Sequence, residues 1–142
     1  MLFLLVACSG ACVCPGTMAR PLHQLSTGDS LCSSNIVMEG HHEVWTESGC
    51  EMGSTGWRYQ RTATDPEVSR VETAFAQLPD PGQGCDRGDG GTGAPRSDTR
   101  YTLSLTTTSG GRSAWIACQD PDGGLAPPFD EAVSAVQALA PR

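Results

Sequence analysis

Seven cysteines in 142 residues, at positions 8, 12, 14, 32, 50, 85 and 118, constrain this chain more than any other feature. Zinc sites pair their ligands as CxxC or HxxxH, and neither spacing occurs. Such a cysteine count in a small, acidic, glycine-rich chain points instead to an oxidising compartment and to disulfides. With Cys8 set apart, six thiols remain, enough for three bridges in any of 15 connectivities. Each bridge stabilises a fold of this size by about 2–4 kcal/mol, a large share of a small domain's margin.

The length leaves room for one domain and little more. Nine Arg, no Lys and 16 acidic residues give a net charge of −7. Scattered arginines on an acidic chain do not build a phosphate-binding surface, so nucleic acid is excluded as the expected partner.

The first residues, MLFLLVA, are apolar but far shorter than the ~20 residues a bilayer span requires. Leu5-Val6-Ala7-Cys8 resembles the lipobox that ends a bacterial lipoprotein signal. The resemblance implies cleavage before Cys8, a lipid on its thiol, and a position in the cell envelope. No basic residue precedes the apolar run, a departure from the signal pattern that leads us to expect its true start upstream of Met1. Ordinary secretion is the alternative, with cleavage after Ala19, where Thr17 and Ala19 give a small-x-small site. The next stretch is rich in Gly, Ser, Thr and Pro and lacks any hydrophobic period, a tether composition. Cys12 and Cys14 read as tail cysteines, free or bridged; two thiolates for a soft metal is the competing reading. The expected organisation is a signal remnant at 1–7, a lipidated tether at 8–34 and one domain at 35–142.

Within that domain, NIVMEGHHEVW (35–45) alternates apolar and polar residues and predicts a strand, broken by Glu47-Ser48-Gly49-Cys50. Trp57 and Tyr59 against Arg58 and Gln60 predict a second strand. TDPEVSRVETAFAQLP predicts a helix: Thr64 or Asp65 caps it, Pro66 occupies the first turn and Glu67 completes a capping box. Val68, Val71, Phe75 and Leu78 form its apolar stripe, and Pro79 and Pro81 end it. A Gly-rich loop follows. YTLSLTTTSGGRSAWIAC predicts a hairpin turning at Ser109-Gly110-Gly111, with the burial of Trp115 and Ile116 undecided. PPFDEAVSAVQAL predicts a second helix with Phe129, Val133, Val136 and Leu139 or Ala140 inward. The fold class is therefore α+β in the order β-β-α-β-β-α: an antiparallel sheet of about four strands with both helices on one face. Cys32–Cys50 and Cys85–Cys118 are the expected bridges. Cys32 and Cys50 lie too far apart to meet along one extended strand, so their pairing demands a fold-back.

Candidate chemistry centres on GHHEVW. As strand residues, Glu39, His41 and Glu43 would share one face while His42 points to the other, so adjacent histidines could not ligate one metal. Only His23 remains as a third imidazole. A solvated strand face is the expectation, with no catalysis, metal or cofactor; metal binding or hydrolysis through His41 and Glu43 is the alternative. Arg87-Gly88-Asp89 matches the integrin-recognition tripeptide, a pattern short enough to arise by chance. Asp86, Asp89, Asp120 and Asp122 fall short of a calcium loop.

Phe75-Ala76-Gln77-Leu78-Pro79, then Tyr101-Thr102-Leu103-Ser104-Leu105, the Gly111-Arg112 turn and an Asp-Pro loop before a terminal helix together resemble emfourin-type modules. That bacterial family includes proteinaceous inhibitors of thermolysin-like metallopeptidases. The resemblance spans about residues 65–140 and implies a peptidase partner. The family's Ser-Gly-Gly strand opening is replaced here by Glu39-Gly40-His41-His42. The functional expectation is a small, non-catalytic envelope lipoprotein or secreted module that binds another protein, with peptidase inhibition as its narrower form.

Overall fold

The computed structural model describes residues 18–29, 31–81, 99–119 and 124–141. Seven strands and two helices follow in the order β1 (Leu22–Gly28), β2 (Cys32–Met38), β3 (Glu43–Cys50), β4 (Gly53–Ser54), β5 (Arg58–Thr62), α1 (Asp65–Ala76), β6 (Arg100–Thr106), β7 (Arg112–Ile116) and α2 (Phe129–Gln137). The α+β class, the antiparallel sheet and the two helices agree with expectation. The count of about four strands does not: the sheet has seven, in the order β4-β3-β2-β1-β6-β7, with β5 sharing the outer edge of β3.

Three local readings account for the difference. The stretch 22–34 is not tether, because β1 lies at the centre of the sheet, antiparallel to both β2 and β6. Its alternation is present but short: His23 and Leu25 are buried, while Gln24 and Ser26 are only half-buried. Residues 35–45 are not one strand but parts of two, folded about a turn at Glu39–His42. Glu47-Ser48-Gly49-Cys50 is no break, since β3 runs to Cys50 and a two-residue strand then folds back along it.

Register fixes the faces. Leu25 stands opposite Ile36 and Leu103, His23 opposite Met38 and Leu105, and Trp115 opposite Leu103. These side chains meet Val71, Phe75, Val133, Val136 and Leu139 in one core cluster, so both helices cover the same face. Trp115 is buried and Ile116 faces outward, which resolves the ambiguity of the returning strand. At the rim of the core the Trp115 indole N–H donates to the carbonyl of Pro79 at 2.7 Å. The opposite face is mixed. Gln24 and Ser26 both donate to the Asn35 side-chain oxygen, at 3.2 and 2.5 Å, beside buried Val37 and the Trp45–Tyr59 ring pair, whose centroids lie 5.3 Å apart.

Helix α1 starts as its residues predict. The Glu67 carboxylate accepts the Thr64 backbone N–H at 2.8 Å and also pairs with Arg61 at 2.7 Å. It ends at Ala76, before Pro79 forces extended backbone on its predecessor. The two helices are joined at their surface by Arg70 and Glu131, 2.7 Å apart.

Candidate functional site

The β2–β3 hairpin has two ends, and the residues that carry chemistry gather at both. We call the end at Glu39–His42 proximal, because the chain enters the sheet beside it. The distal end holds Cys32 and Cys50.

At the proximal end, Gly40, His41 and His42 form a three-residue hairpin loop whose last residue has φ 64°, the left-handed conformation this loop pattern calls for. His42 N–H donates to the Glu39 carbonyl at 2.8 Å, and Glu39 N–H to the Glu43 carbonyl at 3.0 Å. The Glu39 side chain, 2% exposed, is directed into the backbone rather than to solvent. One oxygen accepts the N–H groups of His41 (2.6 Å) and Glu43 (3.1 Å), and the other accepts Ala19 N–H at 2.7 Å. Gly40 N–H then donates to the Ala19 carbonyl at 2.7 Å. A Cβ at Gly40 would collide with the carbonyl of Arg20, so the strap of residues 19–21 across the turn needs glycine here.

This geometry corrects the expected strand face. Glu39, His41 and Glu43 do not form a row on one side of a strand. Both oxygens of Glu39 are engaged by main-chain donors, His41 is exposed, and His42 turns away in the loop. Among the described residues, no three His, Cys, Asp or Glu side chains converge as a metal site would require. The third histidine, His23, lies elsewhere. It is buried on β1 and packs edge-on against Phe75 with ring centroids 5.0 Å apart. Burial lowers its pKa below the usual histidine value, with Glu72 opposing that shift in part.

At the distal end, Cys32 and Cys50 face each other across the hairpin as register partners and are joined by a disulfide, with Cα atoms 4.0 Å apart. The turn at 39–42 is the fold-back that their sequence separation demanded. Asp29 shapes the approach to the bridge: its side chain accepts the N–H groups of Leu31 and Cys32, both at 2.8 Å. Those two bonds hold the Asp29 carboxyl below its usual pKa. Glu51 N–H donates to the Leu31 carbonyl at 3.2 Å, which ties the β1–β2 turn to the β3–β4 turn. From this fixed frame two apolar side chains project into solvent, Leu31 at 60% and Met52 at 99% exposure. A shallow hollow beside them is lined by Asp29, Glu47 and Glu51 among others. A second hollow, across β1, is lined by Ser26, Ser33, Thr102 and Arg100.

Cys118, after β7, is also disulfide-bonded. Its expected partner Cys85 lies outside the described residues, as do Cys8, the expected lipidation site, Cys12 and Cys14. The tripeptide at 87–89 and the acids Asp86, Asp89, Asp120 and Asp122 lie outside them too. The distal tip was not foreseen from sequence. Its available signal was two apolar residues in otherwise polar surroundings, Leu31 next to Cys32 and Met52 two positions beyond Cys50. No protein-family model, no curated protein and no solved structure matches this chain.

Proposed function

We propose that this protein is a small, non-catalytic binding module of the cell envelope, held there through lipid on Cys8 or released by secretion, whose task is to engage another protein. The observation that carries the reading is the Cys32–Cys50 bridge. Both cysteines are exposed, and an exposed disulfide persists only where glutathione and thioredoxin do not reach it. The occupied carboxyl of Glu39 makes it a structural group rather than a general base. A general base must be free to take a substrate proton, and both oxygens of Glu39 already accept main-chain N–H groups.

Metabolic labelling with palmitate tests the anchor. Label lost in Cys8→Ser supports lipidation, and unchanged label refutes it. Thiol counting without reductant tests the compartment: free Cys32 and Cys50 in protein recovered from the envelope would refute the oxidising location.

One narrower reading has an observation in its favour. The order α1-β6-β7-α2 over residues 65–137 follows the order of elements implied by the emfourin resemblance. Titration of a thermolysin-like peptidase with the purified protein tests it. Stoichiometric loss of activity would establish inhibition, and full activity at micromolar excess would remove it.

A further inference from the structure

We infer that the distal end of the β2–β3 hairpin is a docking tip for a protein partner that presents an apolar socket rimmed by Lys or Arg. The inference deepens the binding role proposed above and rests on it. Two features of the tip point the same way.

The first is apolar exposure in a fixed frame. Leu31 and Met52 stand out from adjacent turns, coupled by the Glu51 N–H bond to the Leu31 carbonyl. The disulfide and the two bonds to Asp29 hold these turns in one shape before any partner arrives. Preorganisation of this kind lowers the ordering cost that association otherwise incurs. Methionine adds an adaptable thioether able to fill an irregular socket.

The second is charge. Asp29, Glu47 and Glu51 line the hollow between the turns with no cation among its lining residues, while Arg100 lines the adjoining hollow that shares Asp29, leaving Glu47 and Glu51 as the unopposed charges of the tip. A second copy of the same acidic tip would be repelled, as would an anionic lipid surface. A cationic rim around an apolar socket matches both the charge and the protruding side chains.

The test uses the full chain and, as probe, an amphipathic helical peptide made only of leucine and lysine, followed by amide NMR and by calorimetry. The expected result is shifts confined to residues 29–33 and 47–54. Affinity should fall about tenfold in Leu31→Ser/Met52→Ser, the loss that defines a strong anchor, and should weaken with salt. Glu47→Gln/Glu51→Gln should flatten that salt dependence. Ile116→Ser, an exposed apolar residue on the other edge strand, should bind as the parent does. Shifts spread over the helix-free sheet face around Trp45 and Tyr59, or equal affinity in the Leu31/Met52 variant with an unchanged melting temperature, would overturn the proposal. So would Met52-dependent co-sedimentation with phosphatidylcholine vesicles, because the tip would then be a lipid contact. Palmitate labelling separates the two readings: its loss removes the anchor without altering the peptide result, and intact labelling does not rescue a tip that fails to bind.

Discussion

The two ends of one hairpin solve the same problem by different chemistry. Both must hold a reversal of the chain in a fixed shape at the margin of the core. At the proximal end a buried carboxyl, Glu39, gathers three main-chain N–H groups from two segments, and the strap of residues 19–21 closes over it. At the distal end the side chains are exposed, and hydrogen bonds to an exposed acceptor compete with water. There a covalent bridge holds the strands together. The difference separates a closed end, whose polar groups serve the fold, from an open end that leaves side chains free for a partner.

The largest effect that can break this comparison is Glu39→Ala. Three N–H donors would lose their acceptor in a partly buried turn, at about 1–3 kcal/mol for each that water cannot reach. Allowing for partial rescue by water, a loss of about 4 kcal/mol in urea unfolding is expected. A loss below about 1 kcal/mol would show that the turn does not depend on the carboxyl. Next in size is the distal bridge. Cys32→Ser/Cys50→Ser opens a loop of 18 residues and should cost about 3 kcal/mol, with near-native sheet signal in circular dichroism. Unfolding of the whole sheet would mean that the staple supports more than the tip.

Acidification sharpens the contrast from inside the core. The His23 pKa is lowered in the folded state, so between that value and the unfolded value near 6.5 the unfolded chain binds more protons. Stability is therefore complete above pH 6.5 and falls as the pH drops through and below it. His23→Leu should flatten that slope in chemical denaturation between pH 7 and 5; an unchanged slope would assign it to another group. Glu67 acts in a lower window. Its carboxyl, held at about 2 by Arg61 and the Thr64 N–H, contributes stability above about 4.5 that is lost as pH falls toward 2. Arg61→Ala should cost about 1 kcal/mol, since the pair is partly solvated. The exposed Arg70–Glu131 pair should contribute least, with no measurable change in Tm for Arg70→Ala.

The same contrast explains what could be read in the sequence. Helix α1 announces itself through the Thr64–Glu67 box and its i, i+3, i+7 stripe, because local chemistry and core burial agree there. Helix α2 and the β6–β7 hairpin were legible for the same reason. Strand β1 was not: only His23 and Leu25 mark its inner face, and Ser26, Thr27 and Gly28 imitate a tether. The proximal turn was hidden because the alternation of 35–45 continues through it. Glu39 and His41 fit a strand's polar phase even though the carboxyl is turned into the loop. The Cys32–Cys50 pairing was one choice among 15 connectivities, suggested only by the two cysteines flanking the first predicted strand, whereas the break expected at Ser48-Gly49 mistook a strand close to its neighbour for a turn.

The central claim is that the disulfide preorganises the distal end alone. Amide hydrogen exchange on oxidised and reduced protein tests it most directly. The account predicts that reduction accelerates exchange at Glu51, whose N–H bonds Leu31, while Gly40, His41 and Glu43 keep their protection. Equal acceleration at both ends, or none at Glu51, would contradict it.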